Sequence, residues 1–182
     1  MKRPVHSLQT GDADMYGRLF DRVGPALLRL ASGILLDSRE AEDVLQEAFL
    51  RLLKTAREGR LSGGEDCAVG FLRTIARNLA IDRLRKRKVR NDAQSASVHQ
   101  MESNSETPLA WSEHRELEER LLSLMGNLSA LQRVVFLLRA LEGLANREIA
   151  ESLGIGIEDV KTHLKRTRAK LRPLLQDFEE LS

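Results

Sequence analysis

The sequence predicts an all-α protein made of two small helical domains joined by a flexible linker. Leu, Ala, Arg and Glu dominate the composition, and only four prolines interrupt the 182 residues. These residue types favour helices, and apolar side chains recur at the three- and four-residue spacing of a helix with one buried face. This periodicity stops over 91–113, a segment that is rich in Ser, Asn and Gln, contains Pro108 and lacks Lys and Arg. The polar segment therefore predicts a linker between domains at 1–90 and 114–182.

Three helices are expected in the first domain. Apolar residues over 19–35 predict the first, with a kink or restart at Pro25. Asp37 is placed to cap the second helix, whose apolar stripe runs over 41–52. A third helix is expected over 66–84, with its apolar side inward and its arginines outside.

The second domain shows equally clear helix signals. Leucines over 117–124 line one helix, and Ser129, followed three residues later by Gln, forms a capping-box pattern that opens the next. Two shorter helices are expected over 146–153 and 157–175, joined by Gly-Ile-Gly. The domain is therefore expected to be a compact set of four helices.

Several classes of protein are excluded by what the sequence lacks. It has no apolar run of about 18 residues and no secretory apolar segment, so neither membrane insertion nor export is expected. The lone Cys67 cannot form an internal disulfide and fits a reducing, cytoplasmic setting. The four histidines show no metal-ligand spacing, and no phosphate-binding glycine loop or nucleophile elbow occurs. We therefore expect no enzyme activity, no catalytic residue, no metal and no cofactor.

A net charge of only +2 conceals strong charge segregation. Residues 71–90 carry eight basic side chains against one acidic, and residues 157–172 carry six against two. The rest of the chain therefore carries a net charge of −9. Separate surfaces for anionic and cationic partners follow from this pattern, although a basic run alone is more often a solvated helix face.

The second basic run lies in a helix-turn-helix pattern, REIAESLGIGIEDVKTHL. A small residue, Ala150, stands where the two helices cross, Gly154 stands in the turn, and Val160 anchors the second helix. The alternative is an ordinary helical hairpin with a basic face. Spacing and charge together favour DNA binding.

Beyond the helix-turn-helix, three segments in order resemble the extracytoplasmic-function (ECF) sigma factors of the sigma-70 family. AEDVLQEAFLRLLK resembles the polymerase-clamp helix of region 2, and FLRTIARNLAIDRLRKRK resembles the helix that recognises and melts the promoter −10 element. LSALQRVVFLLRALEGLANREIAESLGIGIEDVKTHLKRTRAKLR resembles region 4, which reads the −35 element. The resemblance covers nearly the whole chain and implies a transcription initiation factor that binds core RNA polymerase and directs it to particular promoters.

The resemblance implies two sets of DNA-binding residues. The set expected at the −10 element comprises Phe71, Arg77, Asn78, Arg83, Arg85 and Lys86, with Asn78 matching the family residue near a flipped base. The set expected at the −35 element comprises Lys161, Thr162, His163, Lys165 and Arg166.

A third set is implied for the polymerase. In the family, the clamp helix docks on a coiled coil of the β′ subunit, and the β flap is a further contact. The matching residues are Glu42, Asp43, Gln46 and Glu47. Without the resemblance they would be assigned to a solvated acidic face. An anti-sigma factor is left open as an additional partner.

The sequence also departs from the family pattern. Ala68 and Phe71 stand where relatives often have aromatic residues around the start of the −10 helix, so strand opening by stacking is expected to be weaker or shifted. Ala145 and Gly156 replace the usual serine caps, although Asn146 is placed to cap one residue later. Two rival functions stay open: a helix-turn-helix activator or repressor that acts alone, and a helical adaptor that never meets DNA.

Overall fold

The structure, a computed structural model, describes residues 13–61, 64–93 and 122–179, and of residues 13, 14, 88, 90–93 and 173–179 it describes the backbone alone. Within these ranges the regular secondary structure is entirely helical, which confirms the all-α prediction. The chain divides into two compact units, Met1–Ser105 and Glu106–Ser182. The helices are α1 (Ala13–Leu35), α2 (Ser38–Arg57) and α3 (Glu65–Ala93) in the first unit, and α4 (Ala130–Ala140), α5 (Asn146–Leu153) and α6 (Ile157–Glu179) in the second.

The first unit is a three-helix arrangement in which each helix packs against the other two. Its core consists of the apolar stripes that the sequence spacing predicted, because residues three and four apart share one helix face. The largest fully buried side chains are Leu19, Leu27, Leu30, Ile34, Leu35, Val44, Leu52 and Leu72.

The turn between α1 and α2 is held by hydrogen bonds to its backbone. Helix α1 runs through Pro25 without interruption, so the predicted restart there is wrong. It ends at Leu35, and the next residue, Leu36, has a φ of 54°, which is unusual for a residue with a side chain. The Leu36 N–H donates to the Ser32 carbonyl at 2.7 Å, and Asp37 Oδ1 accepts from the Glu40 N–H at 3.0 Å. The predicted cap at Asp37 is therefore confirmed.

Helix α3 is longer than the sequence analysis predicted. It continues past residue 84 to Ala93 and so contains the basic run and the first residues of the predicted linker. Arg and Lys are good helix formers and are favoured near a helix C-terminus, so nothing in this run stops the helix. The remaining linker residues, 94–113, lie outside the described residues, as do those of the predicted helix over 117–121.

In the second unit, a short helical segment over 122–126 precedes α4. The Ser129 capping box is present, since its side chain accepts from the Gln132 N–H and the Gln132 side chain accepts from the Ser129 N–H. Helices α5 and α6 form the predicted helix-turn-helix, and Gly154 ends α5 with a φ of 67°. This left-handed conformation strains residues with a Cβ, so the turn requires glycine.

The helix-turn-helix caps are built from the third residue of each helix. Ala145, not Asn146, is the N-cap of α5, and its N–H donates to Glu148 Oε2 at 2.6 Å. At the start of α6, the Gly156 N–H donates in the same way to Asp159 Oδ2 at 3.2 Å. Each carboxylate satisfies the N–H of the cap residue, which is one of the two hydrogen bonds of a capping box, while the bond that a serine oxygen would accept is missing because Ala145 and Gly156 have no side-chain oxygen. The predicted cap at Asn146 is wrong.

Candidate functional site

Helix α6 has one buried side and one charged, exposed side. Val160, Leu164, Thr167 and Leu171 are buried, with Val160 fully so. Successive helical residues turn by about 100°, so the residues between these anchors face outward. The exposed residues include four of the five predicted for the −35 set: Lys161, Thr162, Lys165 and Arg166. We call these four residues the α6 face.

His163, the fifth residue of the predicted set, lies at the flank of this face. It is half-buried, and its Nδ1 atom is buried without a hydrogen-bond partner among the described residues. The same holds for Oγ1 of Thr167, one helical turn further on. Because this part of His163 is turned towards the protein, its role in DNA binding stays a prediction.

The two carboxylates at the start of α6 have different surroundings. Asp159 bonds to the Gly156 N–H and is engaged in capping. Glu158 is 82% exposed in its side chain and pairs with Lys161 at 2.7 Å between Oε1 and Nζ. Only one of the two acids is therefore held against the backbone.

On α3, the residues predicted for the −10 element differ in exposure. Asn78, Arg85 and Lys86 are exposed, whereas Phe71 and Arg77 are half-buried. Ala68 is fully buried, so this position cannot stack on a base.

Two of the α3 cations have surroundings within the protein that affect how freely they can bind DNA. Arg85 makes an exposed ion pair with Asp82 at 3.7 Å. The Nε atom of Arg77 is buried without a hydrogen-bond partner among the described residues. The exposed part of α3 is thus a polar and cationic surface centred on Asn78 and Lys86.

Three acidic residues of α2 and the neighbouring Gln46 lie away from the buried stripe of this helix. Asp43 and Gln46 are exposed, and Glu42 and Glu47 are half-buried, while Val44 is fully buried. We call Glu42, Asp43, Gln46 and Glu47 the α2 acidic face. It is continuous along two helical turns, as the spacing i, i+1, i+4, i+5 requires.

Arg83 of α3 is bound to this acidic face. Its Nη1 atom donates to the Glu40 carbonyl at 2.9 Å and lies 3.7 Å from Asp43 Oδ2. Its Nη2 atom donates to Glu47 Oε2 at 3.2 Å. Arg51 adds a second bond to Glu47, at 2.5 Å. Arg83 thus ties α3 to α2, and only 27% of its side chain is exposed.

The same contacts keep Glu47 ionised. Partial burial raises the pKa of this carboxyl, but hydrogen bonds from Arg51 and Arg83 outweigh it, and the net shift is downward. A carboxylate at this position therefore holds both arginines in place near neutral pH. The α2 acidic face is an organised surface, partly compensated by cations of the same unit.

Arg87 has a comparable structural role that the sequence analysis missed. Its Nη2 atom donates to the Leu35 carbonyl at 3.0 Å, at the end of α1. The sequence does contain a signal for this role. Arg83 and Arg87 follow Ala76 and Ala80 at three- and four-residue intervals, so they lie on the same helix face as these two buried residues. The expectation that the arginines of the helix over 66–84 lie outside is therefore wrong for Arg83, and Arg87 lies beyond the bounds that were predicted for that helix.

Comparison with known proteins relates both units to one family. The family model described as Sigma-70 region 2 matches residues 19–90, and that described as Sigma-70, region 4 matches residues 118–171. The ECF RNA polymerase sigma factor SigW of Bacillus subtilis is 29% identical over 186 residues, 98% of each chain. The probable RNA polymerase sigma factor RfaY of Xanthomonas campestris pv. campestris is 31% identical over 93% of this chain, which spans only 42% of that relative's length.

The fold is also known from solved structures. The sigma factor RpoE of Bartonella quintana, crystallised with the anti-sigma factor NepR, gives a TM-score of 0.60 at 24% identity, over 88% of this chain and 96% of the other. At this level of identity the similarity concerns the fold. The two family models together match more than half of the chain, in the order predicted from its motifs. The chain therefore belongs to the sigma-70 family, as an ECF-type RNA polymerase sigma factor.

Proposed function

We propose that the three surfaces described above divide the work of promoter-specific initiation. Residues 1–90 would bind core RNA polymerase and the −10 element, residues 114–182 would bind the −35 element, and residues 91–113 would connect them. The protein would act in the cytoplasm as a non-catalytic subunit, without a cofactor. The observation that carries this proposal is the α6 face, four exposed polar and cationic side chains on the second helix of a helix-turn-helix.

The α6 face suits the major groove of duplex DNA. Lys and Arg side chains reach guanine edges or phosphates, and a threonine methyl can contact a thymine methyl. The buried Val160 and Leu164 fix the helix so that these side chains project outward together. This arrangement supports recognition of a −35 element.

The exposed surface of α3 suits single-stranded DNA at the −10 element. Asn78 offers an amide with two donors and an acceptor, which can pair with the edge of an unpaired base. Arg85 and Lys86 are placed to hold phosphates. Arg83 has a different part in this proposal, since it holds α3 against α2 and so positions the surface.

For Asn78→Ala we expect altered base preference at one promoter position, because an exposed amide is lost without any change to the core. Lys86→Ala is the matched control, and it should weaken binding to all sequences and flatten the salt dependence. Transcription from a promoter library randomised at the −10 element measures both effects. An Asn78→Ala profile identical to that of the wild type would remove the base-reading role.

The α2 acidic face suits a cationic protein partner, and we propose that it docks on the coiled coil of the β′ clamp. The double charge reversal Asp43→Lys and Glu47→Lys should weaken core-polymerase binding. Exposed ion pairs contribute about 0.2–1 kcal/mol each, so two pairs predict a loss of affinity of up to roughly thirtyfold. Titration of the labelled wild type and of the labelled double variant with core enzyme gives the two dissociation constants to be compared.

The internal contacts of Arg83 require a control for this experiment. Arg83→Ala removes the same ion pairs to Asp43 and Glu47 but leaves the acidic side chains in place. If the α2 acidic face binds the polymerase directly, Arg83→Ala should bind far more tightly than the double reversal. Equal losses in the two variants would assign the effect to helix packing and contradict the docking proposal.

A further inference from the structure

Both carboxylate oxygens of Glu47 are bonded to arginines of the same unit. Oε1 accepts from Arg51 Nη2 at 2.5 Å, and Oε2 accepts from Arg83 Nη2 at 3.2 Å. Glu47 is also a member of the α2 acidic face, which is the surface proposed to dock on core polymerase. A cationic group of the polymerase that approaches this part of the face therefore meets a carboxylate that is already paired.

The two arginines are held with unequal strength. Arg83 reaches across from α3, donates as well to the Glu40 carbonyl, and lies 3.7 Å from Asp43 Oδ2. Arg51 lies on α2 itself, one helical turn after Glu47, and its side chain is 53% exposed. Among the described residues, the hydrogen bond to Glu47 is the one that the Arg51 side chain makes. Arg51 is therefore the cation that an incoming partner can displace.

The fold of α2 does not depend on the Arg51–Glu47 pair. The helix is anchored by its buried stripe, in which Val44, Ala48 and Leu52 have no exposed surface. A single pair at i, i+4 adds little to the stability of a helix that is already packed in this way. The main consequence of the pair thus concerns the surface, because it neutralises one charge of the α2 acidic face and places a positive charge beside it.

We propose that Arg51 is an internal competitor that limits the affinity of the α2 acidic face for core RNA polymerase. A polymerase cation that binds Glu47 has to take the place of Arg51 at Oε1, and the released guanidinium then stays close to a group of like charge. Both effects oppose docking. This inference rests on the proposed function, because it assumes that the α2 acidic face meets the polymerase.

Arg51→Ala should therefore bind core polymerase more tightly than the wild type, by about two- to fivefold, since an exposed ion pair no longer has to be broken. The measurement is titration of labelled full-length protein with core enzyme at about 0.15 M salt, where exposed charges more than about 8 Å apart are largely screened. Lys54→Ala is the matched control. It removes an exposed cation from the same helix that makes no ion pair among the described residues, and it should bind like the wild type.

A double-mutant cycle tests whether Arg51 acts through Glu47. The gain from Arg51→Ala should disappear in a Glu47→Gln background, because the carboxylate for which the two cations compete is gone. An equal gain in both backgrounds, or an equal gain for Lys54→Ala, would assign the effect to net charge and overturn the inference.

Two further results would also contradict the inference. Wild-type affinity for Arg51→Ala would show that the pair does not hinder docking, and weaker binding would show that Arg51 itself contacts the polymerase. Failure of the proposed function has a different signature, because the double charge reversal at Asp43 and Glu47 would then leave the affinity for core enzyme unchanged. That measurement does not involve Arg51, so the two conclusions are tested separately.

Discussion

Val160→Asp is expected to unfold the C-terminal unit. Val160 has no exposed surface and anchors α6 against the rest of its unit. An unpaired carboxylate at such a site is destabilising by several kcal/mol, which is comparable to the whole stability of a small domain. Thermal unfolding of the full-length protein, followed by circular dichroism, should therefore lose the transition of this unit, and transcription from promoters that need a −35 element should fall to background.

Val89→Asp is the matched control, since it is the same chemical change at a position that is 69% exposed. The Val89→Asp variant should unfold at the same temperature as the wild type. A Val160→Asp protein that unfolds at the wild-type temperature would show that the packing of α6 described above is wrong.

Arg166→Ala and Lys165→Ala are expected to have the largest effects that leave the fold intact. Both side chains are exposed and neither belongs to the core, so the variants should unfold like the wild type. Loss of a specific base contact costs about 1–3 kcal/mol, roughly a factor of ten to a hundred in occupancy. Run-off transcription should fall by that factor on a template with an intact −35 element and much less on a scrambled one.

Arg29→Ala controls for charge, since it removes one exposed cation from α1, outside the C-terminal unit. Its activity should stay near that of the wild type on both templates. Should the α6 variants lose equal activity on the intact and scrambled templates, the α6 face does not read the −35 element.

Much of the fold was predictable because helical periodicity and capping are local. The stripe ending at Leu35, the cap at Asp37 and the Ser129 capping box each depend on residues within a few positions of one another. The continuity of α1 through Pro25 could not be predicted in this way. It depends on packing against two other helices, which outweighs the hydrogen bond that proline cannot donate. The length of α3 was missed because a charged run resembles both a helix end and a linker.

The candidate site could be predicted where the exposure of a side chain follows from its spacing relative to the buried residues of the same helix. The α6 face follows from the buried positions that alternate with it, and the structure places it as that spacing requires. The position of Arg83 could not be inferred from its charge, because a cation with a carboxylate partner on another helix resembles a DNA-binding cation in sequence.

The most direct test of the account is reconstitution of transcription with core polymerase. The purified protein is added to core enzyme on a library of promoter fragments, and transcript 5′ ends are sequenced, while the protein alone is tested for footprints on the same DNA. We predict transcripts that start downstream of shared −35 and −10 elements, at starts absent with core enzyme alone, and no footprint from the protein by itself. A specific footprint by the protein alone, with no new start sites when core enzyme is present, would contradict the account.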